Sequence, residues 1–365
     1  MNVTQVLSGA GPHDAITTEA LVFRRYFQQW GWGGSDHAAR VAPGLNGSIV
    51  DLDRLRPSRD DVLLIHHSAA APRLGELLAL PNPKLVLYHN VTPAGWLWDH
   101  APIVALHCAL GREQLPELIA AADIAAADSE FNAAELRGLG ARRTEVIPLL
   151  VDPERLGSPP DGDDRPRSGP PTVLFVGRLS PHKRQDEVIR AFALYRQHRA
   201  PDARLVLVGD PITTAYGERL RGLAERLAPG AIAIESGLDP RELGQRYREA
   251  DAFLCLSAHE GFCIPLIEAF HFGVPVIARP NGAIPETVGD AALLVEDDDL
   301  AVVAELLHLV VTDPELRREL RHRGRRRLEA FAPDIVADRL RSAVAATVAA
   351  ARARRSGSPR MAGAQ

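Results

Sequence analysis

The chain has few cysteines, no long apolar run and no excess of positive charge. Its three cysteines, Cys108, Cys255 and Cys263, are scattered without Cys-x-x-Cys spacing. This excludes a disulfide framework and argues against a structural zinc site. Nowhere do about 18 apolar residues run uninterrupted, so we expect no membrane-spanning helix. The formal net charge of −5 gives no general attraction to nucleic acid.

The N-terminus also lacks the basic start and the long apolar stretch of a signal peptide. We therefore expect a cytoplasmic protein. The 46% hydrophobic and 24% charged residues are those of an ordinary globular protein, and 365 residues are enough for two domains.

Short apolar runs of strand length alternate with longer amphipathic runs through most of the sequence. Near-continuous apolar strands separated by helices indicate parallel sheets that are covered on both faces. The pattern therefore predicts an α/β protein with two doubly wound domains. The predicted strands are Val3–Leu7, Asp61–His66, Lys84–Tyr88, Ile124–Ala127, Glu145–Leu149, Thr172–Val176, Arg204–Val208, Ile232–Glu235, Ala252–Leu256 and Val274–Ala278.

A stretch rich in Pro, Gly and Asp at Gly157–Pro171 predicts a surface linker between the two sheets. We predict an N-terminal Rossmann-like domain over 1–160, on the acceptor side of any reaction, and a C-terminal Rossmann-like donor domain over 161–332. A helix over 333–354 is expected to pack back toward the N-terminal domain, and 355–365 are expected to be a disordered tail.

The basic run RRELRHRGRRR at 317–327 lies within a predicted helix. Such a run is usually a solvated helix face. The alternative is an anchor to anionic lipid headgroups, at about 1 kcal/mol per basic residue.

Ligands of doubly wound sheets bind beyond the carboxyl ends of the strands, so the residues that follow each strand are the first candidates. Gly177 allows a tight turn after the strand Thr172–Val176, and Arg178 and Lys183 flank the start of the next helix. Two cations beside the N–H groups of a helix N-terminus are suited to a diphosphate. The alternative is two ordinary surface cations.

A second candidate follows the strand Ala252–Leu256, in the segment SAHEGFCIPLIEAFHFG. Pro265 fits the first turn of a helix, which places Glu260 on the loop that enters it and Glu268 one turn inside. The helix dipole explains one acid at this position well, and two less well. Carboxylates here can accept hydrogen bonds from sugar hydroxyls.

Together, GRLSPHK and EGFCIPLIE resemble the retaining family 4 glycosyltransferases (glycosyl transferases group 1) of the GT-B fold. Further matches are PNGAIPETVGDAALLVE and DSEFN…VIPLLVDPERL. The resemblance covers nearly the whole chain to about residue 340. It implies two Rossmann-like domains that face a central cleft, and transfer of a sugar from a nucleoside-diphosphate-sugar to a hydroxyl with retention of configuration.

The resemblance also implies roles for individual residues. Arg178 and Lys183 would hold the donor diphosphate and stabilise it as the leaving group, with neither a metal nor a cofactor. Glu260 would contact hydroxyls of the transferred sugar, and Glu268 would bind the ribose. The implied donor-binding residues are Gly177, Gly237, Leu238, Gly261, Phe262, Cys263, Ile264 and Glu268; Cys263 replaces a glycine that is commoner at its position.

In the first half of the chain the candidates are histidines at strand ends. His89 matches a histidine that contacts donor sugar and acceptor in relatives, so we include it among the catalytic residues. The alternative is a histidine that is simply hydrogen-bonded at a strand end. His66 and His67 end the preceding strand, and His67 is a further candidate for the same cleft. No GxGxxG motif is present, which counts against a dinucleotide oxidoreductase.

Other functions share this architecture. An inverting GT-B transferase or a sugar-nucleotide epimerase is one alternative, and an inverting enzyme needs a base, for which His13 is the candidate. A non-catalytic donor-binding subunit of a polysaccharide assembly complex is another. The expected acceptor is a sugar, a lipid-linked sugar or a polysaccharide, as in polysaccharide, lipopolysaccharide or glycoconjugate synthesis. Peripheral contact with the inner face of an anionic membrane is also expected, and no nucleic-acid partner.

Overall fold

The computed structural model describes residues 1–12, 14–45, 47–159 and 169–357, and the chain divides into two compact units. Unit 1 consists of residues 1–93, 107–150 and 333–365. Unit 2 consists of residues 94–106 and 151–332. Each unit has its own parallel sheet with helices around it.

Unit 1 contains a seven-stranded parallel sheet in the order β3-β2-β1-β4-β5-β6-β7. The chain passes out to one edge of the sheet and then back to the other, which is the doubly wound arrangement. The strands are β1 Val3–Leu7, β2 Asp36–Ala38, β3 Val50–Asp51, β4 Val62–His67, β5 Lys84–Tyr88, β6 Ile124–Ala127 and β7 Thr144–Val146. The helices between the first and the last strand of this sheet are α1 Ala15–Gln29, α2 Leu74–Ala79, α3 Pro102–Glu113, α4 Leu115–Ala121 and α5 Glu130–Gly138. Helix α3 begins in the residues of unit 2 and ends in those of unit 1.

Unit 2 contains a six-stranded parallel sheet in the order β10-β9-β8-β11-β12-β13. Its strands are β8 Thr172–Val176, β9 Arg204–Val208, β10 Ile232–Glu235, β11 Ala252–Cys255, β12 Val276–Ala278 and β13 Ala292–Leu294. Its helices are α6 Gln185–His198, α7 Thr214–Leu227, α8 Pro240–Glu249, α9 Ile264–His271, α10 Ile284–Val288, α11 Leu300–Thr312 and α12 Pro314–Leu328. The last helix of the chain is α13 Pro333–Gly357.

These two sheets confirm the predicted fold class. Three short strands were not predicted: β2, β3 and β13. β2 is Asp-His-Ala and β3 is only Val-Asp, so neither contains an apolar run. β13 is apolar, Ala-Leu-Leu, but it is only three residues long and forms a partly buried sheet edge. β7 ends at Val146 rather than Leu149, and β12 begins at Val276 rather than Val274. Residues 160–168 of the predicted linker and 358–365 of the predicted tail lie outside the described residues.

The basic run of α12 is bonded largely to its own unit. Arg321 donates to the carbonyl of Gly273 at 2.9 Å, and Arg327 donates to the carbonyl of Thr287 at 2.9 Å. Arg326 pairs with Asp290 at 2.6 Å. These contacts favour the helix-face interpretation over a lipid anchor. Within the described ranges, no helix is both long and apolar enough to cross a membrane.

Helix α13 packs against the sheet of unit 1. It lies along β4, β5 and β6, and its buried residues Val336, Leu340 and Val344 belong to the same core as Phe23 on α1. Arg354 near its C-terminus pairs with Asp123 at 3.0 Å. The last helix of the chain therefore completes the core of the first unit.

We expect Leu340→Ala to lower the free energy of unfolding by about 2–5 kcal/mol, because it removes a fully buried side chain from this core. Ile335→Ala on the same helix is the matched control, since Ile335 is 43% exposed; its change should stay within about 0.5 kcal/mol. Urea denaturation of both variants measures the difference. Equal losses would contradict this packing of α13.

His67, at the end of β4, is a structural histidine. Its ring is buried and its Nε2 is 2.8 Å from the carbonyl oxygen of Gly111, to which it donates. Burial lowers the pKa of His67 to about 4, although the bond to Gly111 opposes the shift. The native protein therefore keeps this ring neutral at pH values where the unfolded chain protonates it.

The sign of this shift predicts acid sensitivity. Between pH 7 and pH 5 the unfolded state binds a proton at residue 67 that the native state does not, so stability falls as the pH falls. Relative to His67→Gln, which keeps a donor for Gly111, the native chain should lose roughly 2 kcal/mol over this range. Urea denaturation at several pH values measures it. Parallel stability curves for the two proteins would refute the assignment of a neutral His67.

Candidate active site

The first element of the site is the turn after β8. Gly177 has a φ of 147°, and Arg178 follows it with an exposed side chain. The carbonyl of Arg178 accepts a hydrogen bond from Nε2 of Gln185, the buried first residue of α6, at 3.0 Å. The backbone of the turn is thus fixed to the following helix, while the guanidinium of Arg178 faces solvent.

Lys183 ends a 3₁₀ turn, Pro181–Lys183, that precedes α6. Its Nζ lies 2.5 Å from Oε2 of Glu260, and the two side chains are only 20% and 6% exposed. Burial alone would lower the pKa of Lys183, but Glu260 and the nearby thiols raise it, so the net shift is upward and the amine is charged. The structure therefore joins two predicted site residues, from the loops after β8 and β11, in one ion pair.

The backbone of Glu260 is held by the loop that follows β12. The amide of Ala283 donates to the Glu260 carbonyl at 2.9 Å. Gly282, with a φ of +62°, passes so close that a Cβ there would lie 2.2 Å from the Glu260 carbonyl oxygen. Glycine is required at this position both by the left-handed conformation and by the close approach.

Helix α9 begins immediately after the loop that carries Glu260. Cys263 is its N-cap and has a φ of +76°, a region in which a non-glycine residue is strained. This explains why a glycine suits the position. The carbonyl of buried Phe262 accepts from Thr287 Oγ1 at 2.7 Å, and Gly261 and Ile264 are half-buried.

The thiol of Cys263 is neutral rather than reactive. Its hydrogen bond with Cys255, and then burial, raise the pKa of Cys263 well above that of a free thiol. Cys255, Cys263 and Glu260 also place three potential metal ligands within 4.8 Å of one another. The ammonium of Lys183 on the same carboxylate disfavours a cation there, because it repels a metal and occupies one of the ligand oxygens.

Glu268 lies one turn inside α9 and is buried. The hydroxyl of Tyr247 donates to its Oε2 at 2.8 Å, and Nη2 of Arg155 donates to its Oε1 at 3.1 Å. Tyr247 is itself fully buried, whereas 44% of the Arg155 side chain is exposed. Tyr247 therefore orients the carboxylate from inside, and Arg155 covers its outer oxygen.

Gly237 and Leu238 follow β10, at the same sheet edge as the turns after β8 and β11, because all of these strands are parallel. Gly237 is exposed with a φ of 70°, and Leu238 is half-buried. They lead directly into α8, where Asp239 and Glu242 form a capping box. Both residues therefore lie at the carboxyl end of the strands, where the ligands of doubly wound sheets bind, just before the capped start of α8.

In unit 1, the end of β5 carries His89 into a buried chain of hydrogen bonds that starts at Gln5. Gln5 Nε2 donates to the Ala20 carbonyl and to Asp36, each at 2.8 Å, so its Oε1 must be the atom that faces His66. Because this oxygen can only accept, His66 Nε2, 3.0 Å away, carries a proton. Burial, and then the charge of His89, lower the pKa of His66, so its other nitrogen is an acceptor.

His89 Nε2 therefore donates to His66 Nδ1, at 3.0 Å between two nearly coplanar rings. Its Nδ1 lies 3.6 Å from Asp128, and Glu19 lies 3.6 Å from Nε2. Burial lowers the pKa of His89, but Asp128 and Glu19 outweigh it and the net shift is upward. Burial raises the pKa of Glu19 to about 7.

This geometry decides between two interpretations of the cluster. Glu19, His66 and His89 offer three potential metal ligands, but the lone pair of His66 Nδ1 points at the N–H of His89 rather than at a shared centre. The His89 side chain is only 1% exposed, with both nitrogens directed at protein groups. The cluster is therefore a hydrogen-bonded relay rather than a metal site.

Several residues of these sites were missed in the sequence. Arg155 and Tyr247 lie 113 and 21 residues from the Glu268 that they contact, and Glu19 is 131 residues from the Leu150 amide that it accepts from. No spacing rule links such distant positions. Gly282 and Arg155 had a signal, since they fall within the segments PNGAIPETVGD and VIPLLVDPERL that carried the resemblance. His13, the candidate base for inversion, lies outside the described residues.

Comparisons with known proteins relate part of the chain to a family and the fold to solved structures. Residues 162–327 match the family described as Glycosyl transferases group 1. An MMP alpha-(1->4)-mannosyltransferase of Mycolicibacterium hassiacum is 29% identical over 61% of this chain and 52% of its own length. A D-inositol 3-phosphate glycosyltransferase of Acidothermus cellulolyticus is 29% identical over 77% of this chain and 72% of its own length. The chain thus spans about half the length of the first relative.

Among solved structures, sucrose-phosphate synthase from Thermosynechococcus elongatus superposes with a TM-score of 0.76. It is 20% identical and covers 96% of this chain and 100% of its own. At that identity the likeness concerns the fold alone. The Lys183–Glu260 pair and the Glu268 site lie within the matched segment, apart from Arg155. The chain therefore has the GT-B fold, and its residues 162–327 are similar to the family Glycosyl transferases group 1.

Proposed function

We propose that the protein is a glycosyltransferase that moves a sugar from a nucleoside-diphosphate-sugar to an acceptor hydroxyl with retention of anomeric configuration. The observation that carries the proposal is the Lys183–Glu260 ion pair at the ligand edge of the unit 2 sheet. It lies in the domain that matches glycosyl transferases group 1. The family's activity and the chemistry of the pair agree.

The pair is suited to hold both ends of an activated sugar. Lys183 uses one N–H on Glu260 Oε2, which leaves two donors for a diphosphate. The exposed guanidinium of Arg178 is the second cation, with a planar fork suited to phosphate oxygens. Glu260 Oε1 accepts no hydrogen bond from any described residue, so it can accept one from a sugar hydroxyl. A fixed lysine stabilises the charge that develops on the departing diphosphate.

Glu268 is the proposed acceptor for ribose hydroxyls. Tyr247 donates to Oε2 from inside the unit and fixes the orientation of the carboxylate. Oε1 is covered by Arg155, whose side chain is 44% exposed, so moving it aside would cost little. Gly237 and Leu238 are proposed to lie against the nucleotide base, and Gly177, Gly261, Phe262, Cys263 and Ile264 against the diphosphate and sugar.

For His89 we propose a role through its charge and position rather than through proton transfer, since both ring nitrogens are directed at protein groups. Retention by attack on the same face as the leaving group requires no side-chain base, because the leaving phosphate takes the acceptor proton. The name of the second relative above contains a phosphorylated compound, D-inositol 3-phosphate. An acceptor in glycoconjugate or polysaccharide synthesis is therefore proposed.

The proposal is tested by thermal stabilisation with UDP, GDP and ADP and their sugars. A donor at 100 times its dissociation constant adds about 2.7 kcal/mol to the free energy of unfolding. Transfer is then followed by release of the nucleoside diphosphate, and NMR of the product gives its anomeric configuration. An inverted product would replace retention with the inverting alternative. Stabilisation without turnover for any acceptor would favour the non-catalytic donor-binding subunit.

We expect Lys183→Ala and Glu260→Ala each to lower kcat by about 100- to 1,000-fold, since each removes fixed charge that stabilises the transition state. Glu225→Ala, an exposed acid on α7, is the control and should leave turnover unchanged. Circular dichroism of each variant excludes unfolding as the cause. Full turnover in a folded Lys183→Ala variant would remove this pair from the mechanism.

Gly282→Ala should also lower turnover, by at least about tenfold, because the new Cβ would push the Glu260 backbone away from Lys183. Gly230→Ala is a matched control: Gly230 has a similar φ of +68° and nothing within 4 Å of the added Cβ. Both variants carry the same left-handed strain, so the difference in kcat isolates the contact with Glu260. Equal activity of the two would show that this contact does not matter.

A further inference from the structure

A cavity lies in unit 2, against the start of α6 and along α7, and no role above uses it. Its volume is about 350 Å³. Pro181, two residues before Lys183, is part of its wall, so the cavity adjoins the turn that carries the proposed donor site. The side chains that matter for its chemistry are Trp96, His100, Arg184, Arg190, Arg219 and Arg226.

The cavity carries an excess of positive charge. Four guanidiniums line it, against the two carboxylates of Asp99 and Asp186. Arg184 is the one that is neutralised locally, by Glu187 and by Asp186 at 3.6 Å. Like charges gathered at one cavity repel one another, so an anionic ligand would relieve them.

The other three guanidiniums, of Arg190, Arg219 and Arg226, have no ion pair or hydrogen bond to any residue in the described ranges. Their side chains are exposed and so cost little to reorient toward a ligand. Arginine presents paired N–H donors in a planar fork that matches the oxygens of a phosphate. Three free forks at one cavity are enough to surround a single phosphate.

One wall of the cavity is formed by the buried, polar side chain of Tyr216. Tyr216 packs edge-on against His100, with ring centroids 5.2 Å apart. The Tyr216 hydroxyl donates to Oε1 of Gln185 at 3.4 Å, and Gln185 Nε2 donates to the carbonyl of Arg178. The cavity is thus connected by two hydrogen bonds to the turn that would bind the donor diphosphate.

We propose that this cavity binds the phosphate group of a phosphate ester, and that the ester is the acceptor of the transfer. The second clause rests on the proposed function. The half-buried Trp96 and the His100 ring offer flat apolar faces for the carbon skeleton that bears the phosphate. A soluble sugar phosphate and a phospholipid headgroup share this chemistry.

Binding is tested on the full chain by isothermal titration with inorganic phosphate and with glucose 6-phosphate, both in the presence of saturating nucleoside diphosphate. The lipid source is tested by co-sedimentation with phosphatidylcholine vesicles with and without phosphatidylglycerol. Arg219→Glu should raise the Kd of whichever probe binds by at least about tenfold, since it loses a charge-assisted contact and adds repulsion. Arg219→Ala should act in the same direction and guards against misfolding of the charge-reversed variant.

Arg221→Glu is the matched control. Arg221 is exposed on the same helix, α7, but does not line the cavity. It makes the same change in net charge and should leave the Kd within about twofold, because exposed charges at a distance are screened. Equal losses in the Arg219 and Arg221 variants would overturn the proposal, since they would indicate general charge attraction. Failure of every probe to bind would also overturn it.

Nucleotide binding separates this proposal from the previous one. Lys183→Ala should lose stabilisation by nucleoside diphosphate and keep the phosphate ester, and Arg219→Glu should do the reverse. If the chain bound no nucleotide but bound phosphate esters through Arg219, the glycosyltransferase proposal would fail and the site would stand. If both ligands were lost with Lys183 alone, the phosphate would belong to the donor site and the separate cavity would be refuted.

Discussion

The contact between Lys183 and Glu260 is the interaction on which the candidate site of unit 2 depends. Two opposite charges lie 2.5 Å apart at the edge of a sheet, mostly removed from water. Removing either partner would leave the other charge buried and uncompensated, which is far costlier than losing a surface pair. The neighbouring structure serves to hold the two ends of this contact: a 3₁₀ turn on one side, and the Gly282 approach to the Glu260 backbone on the other.

The same requirement, that buried polar groups have partners, is met differently in unit 1. There a relay from Gln5 through His66 to His89 gives both nitrogens of His66 a partner. His89 Nε2 donates to His66 and its Nδ1 lies 3.6 Å from Asp128, so both ring nitrogens of His89 face protein groups. In unit 2, by contrast, the Lys183–Glu260 pair has N–H donors and a carboxylate oxygen that bond to no other residue in the described part of the chain. A reaction driven by fixed charge, with no side-chain base, is consistent with both arrangements.

The arginines show that residue type alone does not predict which side chains are available to bind a ligand. The arginine-rich run in α12 was a candidate for binding a lipid surface. In the structure, Arg321 and Arg327 instead donate hydrogen bonds to carbonyl groups of their own unit. The arginines that line the cavity beside α7 are dispersed between positions 184 and 226 and formed no recognisable motif. The arginines of α12 differ from those of the cavity in how many carbonyl and carboxylate oxygens lie within hydrogen-bond distance of the guanidinium. Folding decides which oxygens those are.

The doubly wound fold and most of the strands could be predicted from the amino-acid sequence, because buried parallel strands are continuous apolar runs. Arg178, Lys183, Glu260 and Glu268 became candidates because residues that follow such strands lie at one end of the sheet. The other candidate donor residues came from the family resemblance. Folding was needed to show that Lys183 meets Glu260, that Tyr247 and Arg155 contact Glu268, and that His89 faces inward. These depend on contacts between residues tens to more than a hundred positions apart, and hydrophobic periodicity carries no information about which distant side chains meet.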